Sequence, residues 1–98
     1  MAEPVMDKAL ILTLVKARLG ISSTQRDTYL NAIIDGLIEE LEKQQGITLN
    51  GENKNQEIFI TDYAVWRYQS RDTTGAMPEH LRFRLRNLYV NSGGKKNV

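Results

Sequence analysis

Residues 22–46 read SSTQRDTYLNAIIDGLIEELEKQQG, and their spacing decides the fold. Leu30, Ile33, Ile34, Leu37 and Leu41 recur every three or four positions. That spacing places them on one side of a helix as a core-facing stripe. Ser22 and Gln25 have the separation of a capping box at the start of that helix, and Gly46 offers a stop at its end. Glu39, Glu40 and Glu42 fall off the stripe and form a solvated acidic face. Gly36 costs the helix roughly 1 kcal/mol relative to alanine, and its expected role is to admit another helix closely.

The pattern continues on both sides of this segment. Upstream, residues 6–19 form a first helix with Leu10, Ile11, Leu14 and Val15 on one apolar face. Asp7 in its first turn and Lys16 and Arg18 in its last complement the helix dipole. Gly20 then takes the left-handed cap. Downstream, ITLNGENKN at 47–55 is a polar connection with Asn50-Gly51 as its turn. Ile47, Thr48 and Leu49 make a short extended piece, but no second strand accompanies it. A third helix is expected over 55–71. Phe59, Tyr63 and Trp66 follow i, i+4, i+7 spacing, with Ile58 and Val65 to one side and Ile60 and Ala64 to the other. A helix apolar around most of its circumference belongs at the centre. Residues 72–77 form a loop, Pro78 suits the first turn of a fourth helix, and that helix reaches residue 89 or 90. NSGGKKNV at 91–98 is a flexible basic tail. The reading is all-α: one domain over 1–98, a small bundle of about four helices with its core in 6–90.

Composition fits this. The 98 residues are 41% hydrophobic and 26% charged, enough for one soluble domain whose stability alone is modest. With no cysteine, disulfides and Cys-based zinc sites are excluded. Residues 10–14 are a short apolar run without a cleavage site, so no signal peptide is expected. No stretch is long enough to span a bilayer. Net charge is +1 but unevenly spread: residues 1–70 hold seven Lys/Arg against ten Asp/Glu, residues 71–98 six against two. Such asymmetry points to an acidic partner, either DNA or the acidic half of a neighbouring copy.

Catalytic chemistry is not expected. His80 is the single histidine, and a lone histidine without a nucleophile motif makes no triad. The three glutamates of the second helix are too scattered around it to collect a cation. Gly93-Gly94 precedes two lysines, but no strand leads in and no helix follows, so it is no phosphate loop. Tyr63, Trp66 and Tyr68 have the chemistry to stack on bases; on a largely apolar helix they are core. No enzyme activity, cofactor or metal is expected.

The fourth helix carries the basic residues. Leu81, Leu85 and Leu88 share its core face. Arg82, Arg86 and Tyr89 lie on an adjacent face, since they too are spaced i, i+4, i+7. Arg84 lies on the other flank, and Phe83 and Val90 lie opposite the leucines. A groove-reading helix gathers its basic residues on one exposed face, which this helix does not. Arginines flanking a core stripe bury their stems and pair with carboxylates of neighbours. Phe83, opposite the core, is either a subunit contact or one of the single exposed aromatics common on protein surfaces.

YAVWRYQSR at 63–71, followed by MPEHLRFRLRNL at 77–88, resembles the small head–tail connector proteins of tailed bacteriophages, also called head-completion or adaptor proteins. The resemblance extends over residues 6–89. It implies an all-helical fold and a ring of about twelve subunits beneath the portal of the DNA-filled head. The ring extends the DNA channel, lets DNA pass without sequence-specific binding, and presents a surface to the next connector or stopper protein. The resemblance also implies a virion location at the head–tail interface for a protein made in the host cytoplasm. It implies that the tail, with Lys95 and Lys96, contacts the portal protein. In such a ring Arg82, Phe83, Arg84 and Arg86 are the subunit-interface candidates, meeting an acidic surface such as the second helix of the next copy. The acidic first seventy residues suit a channel wall that repels DNA. The alternative is a small helical DNA-binding regulator.

Overall fold

The computed structural model describes residues 5–71 and 75–91. Among them are four helices and no strand: α1 (Lys8–Leu19), α2 (Asp27–Glu39), which runs on into one π turn (Glu40–Gln44), α3 (Lys54–Gln69) and α4 (Glu79–Asn91). The all-α bundle expected from the sequence is what forms, with helix ends shifted by one or two residues except at the start of α2. The expected tail lies outside the described residues, apart from Asn91 at the end of α4.

Local chemistry sets the ends of α1. Asp7 stands one position before the helix and accepts a hydrogen bond from the Leu10 N–H at 3.1 Å. A carboxylate there satisfies an orphan amide and faces the positive end of the dipole. At the other end Gly20 has φ 72°. Its N–H donates to the Ala17 carbonyl, and the Ile21 N–H donates to Lys16 at 3.0 Å. These two bonds make the Schellman closure, which needs a residue tolerant of positive φ. Ile21 then packs on the core.

The capping box expected at Ser22 and Gln25 is not used. Helix α2 begins at Asp27, and Arg26 in front of it makes no side-chain cap. Partners distant in sequence fix this end instead. Lys16 Nζ of α1 lies 2.8 Å from Asp27, and Arg26 donates to the Tyr68 hydroxyl of α3. These tertiary bonds outweigh a local cap. The stripe forms as expected: Leu30, Ile34, Leu37 and Leu41 are buried, and Ile33 packs at their edge. Gly36 is a correction. It is exposed, and a Cβ there would meet nothing within 4 Å, so no helix approaches it closely. Gly46 ends the π turn with φ 71°.

Helix α3 is central. It packs against α1, α2 and α4, and α4 touches no other helix among the described residues. Phe59, Ile60, Tyr63, Ala64, Val65 and Tyr68 are all buried. Ile58 departs from the expected pattern and is half exposed. Asn53 caps α3 by accepting from the Gln56 N–H at 3.1 Å.

Gln56 is a polar side chain in the core. Its Nε2 donates to the Thr48 carbonyl at 2.9 Å and its Oε1 accepts from the Asn50 N–H at 2.8 Å. The amide thereby takes over the backbone pairing that a second strand would have supplied. This holds 47–49 extended and sends Ile47 and Leu49 into the core. Asn50 then closes the turn: its Oδ1 accepts from Glu52 N–H and its carbonyl from Asn53 N–H.

The segment entering α1 crosses this turn. A Cβ on Gly51 would lie 2.1 Å from the Val5 carbonyl oxygen, a distance at which backbone must move. Gly51→Ala should therefore destabilise the protein by about 1–3 kcal/mol, the usual cost of overpacking. Thermal denaturation checks this. Gly36→Ala, with open space around it, should instead raise stability by roughly 1 kcal/mol.

Candidate functional site

The sequence placed its candidates on α4, and the geometry divides them. The Pro78 carbonyl accepts from the N–H groups of Leu81 and Arg82 at 3.1 and 3.0 Å, so proline stands at the threshold of the helix rather than in its first turn. Leu81 and Leu88 are buried, and Leu85 packs at the margin of the core.

Arg84 is turned toward α3. Its guanidinium donates to Asp62 Oδ2 at 2.7 Å and lies 5.5 Å from the centre of the Phe59 ring. Arg18 of α1 donates to the other Asp62 oxygen. One carboxylate on α3 therefore holds both α1 and α4. Partial burial alone would raise the Asp62 pKa. The hydrogen bonds and positive charges of Arg84 and Arg18 outweigh that and hold it below its ordinary value of 3.8.

Arg82, Phe83 and Arg86 lie together on the outer side of α4. Phe83 is 60% exposed and, with Glu79, His80 and the two arginines, lines one shallow groove. Arg82 and Arg86 also edge a second groove with Gln44, Gln45 and Tyr89. Neither arginine has an acidic partner among the described residues. Val90, further along the helix, is 65% exposed. Lys95 and Lys96, the residues expected to contact the portal, lie outside the described residues.

The acidic face of α2 forms only in part. Glu39 and Glu42 are exposed. Glu40 is not simply solvated: it accepts from the Tyr63 hydroxyl at 3.2 Å and from Arg67 at 3.4 Å. Burial and the Glu40 charge push the Tyr63 phenol above its ordinary pKa. Tyr63 and Tyr68 are core residues with bonded hydroxyls, and Trp66 is half-buried beside Tyr63, its ring stacked at 6.0 Å. Sequence reading passed over Asp62 and gave Arg18 only a helix-dipole role. The signal was present: Asp62 is the one charged residue in the run from Phe59 to Trp66.

Because the Asp62 pKa is depressed by folding, its contribution is fully present well above the ordinary value of 3.8 and is lost as pH falls through 3.8 toward the folded value. Asp62→Asn should cost about 1 kcal/mol at pH 7, a low figure because solvent reaches both arginines. That lowers Tm by roughly 4–8 °C. The gap between variant and wild type should narrow as pH falls below 3.8, read by circular dichroism melts at pH 7 and at successively more acid pH.

Among the described residues no helix is long and apolar enough to cross a membrane. No curated protein and no solved structure matches the chain. A family model of phage gp6-like head–tail connector proteins matches residues 10–85, from the first turn of α1 to the middle of α4. With four helices on a central α3 and that match over most of its length, the chain belongs to the gp6-like head–tail connector family of phages.

Proposed function

We propose that the protein is a structural component of the virion that joins the DNA-filled head to the tail. It forms a ring beneath the portal and extends the DNA channel toward the next connector or stopper protein. The match to the connector family over residues 10–85 carries this reading. The outer face of α4 supports it: an exposed aromatic beside two arginines that have no acidic partner among the described residues is a surface suited to a protein partner. In this reading Arg82, Phe83 and Arg86 make the subunit contact, and Arg84 holds α4 in position behind them. Lys95 and Lys96 supply positive charge for the portal contact. No catalytic role is assigned to any residue.

The DNA-regulator alternative fits the arrangement less well. Arg84 is engaged by Asp62, which leaves α4 with two outward arginines around a phenylalanine. A groove-reading helix presents more donors than that to base edges and phosphates.

Disrupting the gene in the phage should give lysates in which packed or leaking heads accumulate beside separate tails, seen by electron microscopy. Supplying the intact gene should restore joined particles. Supplying a variant with alanine at 82, 83 and 86 should not. Normal infectious virions without the protein would overturn the connector reading.

A further inference from the structure

The α4 face has the form of one half of a contact: Phe83 protrudes beside Arg82 and Arg86, and neither arginine has an acidic partner among the described residues. Among the described residues, grooves on other parts of the surface are open to receive it, and three can be compared. The groove between α2 and α3 is edged by Arg67 and Arg71, whose charge repels Arg82 and Arg86. The groove between α1 and α3 contains Leu14, Ala17 and Ile58, but its acid, Asp62, is already engaged by two arginines.

The third groove differs from both. It lies between the segment entering α1, the end of α2 with its π turn, and residues 47–49, and its volume is about 1020 Å³. Its floor is Met6, Ile38, Ile47 and Leu49, and Asp7 and Glu42 stand on its rim. Glu42 is exposed and has no cationic partner among the described residues, and Glu39, one turn earlier, is in the same state. Lys8 also reaches this rim, but it pairs with Asp35 at 3.1 Å.

The geometry points to a contact in which the Arg82–Phe83–Arg86 face of one copy seats in this groove of a second copy. Phe83 meets the apolar floor, and the arginines meet Glu42 and Asp7. The inference rests on the ring reading and names the two halves of the ring's repeating contact. Burial of the aromatic ring supplies most of the attraction, because exposed charge pairs contribute little and chiefly fix register. The two halves are different surfaces of one chain. Each copy therefore offers a face and a groove, and the contact propagates head to tail until it closes.

The chain has no cysteine, so its only thiols are those introduced. Thr48, in the groove, and His80, which lines the groove beside Phe83, are both exposed, so T48C/H80C should fold and keeps the Phe83 ring. Treated with a short bismaleimide in complemented phage particles, this full-length variant should give a ladder of covalent multimers on a denaturing gel. A32C/H80C, which tests the α2–α3 groove, should not. Charge reversal gives a second reading. R86E and E42R should each lower incorporation into particles at least tenfold, and the double variant R86E/E42R should recover most of it. Particles that contain T48C/H80C yet yield only monomer overturn the contact and leave the connector reading standing. So does a double charge reversal as defective as either single one. Particles that never contain the wild-type chain overturn both.

Discussion

Burial of α3 on nearly every side is the constraint from which the rest of the structure follows. With Phe59, Ile60, Tyr63, Ala64, Val65 and Tyr68 all out of solvent, no single neighbour can cover the helix. Helix α1, the stripe of α2 and the leucines of α4 each take one part of its surface. The polar groups carried into that position must then be satisfied in place, since a buried unpaired donor or acceptor costs as much as several good contacts gain. Gln56 meets this demand by bonding the 48–50 backbone, Tyr63 by bonding Glu40, and Tyr68 by accepting from Arg26. Each bond also fixes another element. The same side chains that make the central helix tolerable therefore hold the connections around it.

Asp62 applies that logic to charge. A carboxylate on a central helix needs cations, and the two it receives come from different elements, Arg18 on α1 and Arg84 on α4. Helix α4 has no other helix to lean on among the described residues. Leu81, Leu88, the marginal Leu85 and this ion pair therefore contribute to its placement against α3. The ion pair has a functional consequence, because whatever surface α4 offers is aimed by Asp62 from behind.

Most of the fold was legible in the sequence because it is written in helical periodicity. The stripe from Leu30 to Leu41 and the aromatic spacing of α3 predicted which faces would be buried. Gly20 and Gly46 stand at positive φ where helices were expected to stop. What periodicity could not show were bonds between elements. The start of α2 was misread because Ser22 and Gln25 satisfy a local rule, whereas Asp27 is fixed by Lys16 across a gap that no local rule describes. Gly36 was misread for a similar reason: a glycine in a helix admits a close approach but does not require one. On α4 the wheel correctly separated Arg84 from Arg82 and Arg86. It could not say that the partner of Arg84 lies within its own chain.

That separation explains the basic residues that look so regular in the sequence. Arginine at 82, 84 and 86 is alternation only on paper. On a helix, successive alternate positions turn through about 200°, so the middle residue points away from the other two. Arg84 spends its charge inside the domain and holds the helix, leaving Arg82 and Arg86 outside around Phe83. The acids balance in the same way: Asp62 is engaged within the chain, while Glu39 and Glu42 stay outside. A chain of net charge +1 is thus nearly neutral as a whole yet polar from one surface to another. Near-neutrality removes long-range repulsion between copies, and local opposition of charge gives an approaching copy one preferred orientation. In the proposed ring, that combination serves a subunit that must meet its own kind in a single register.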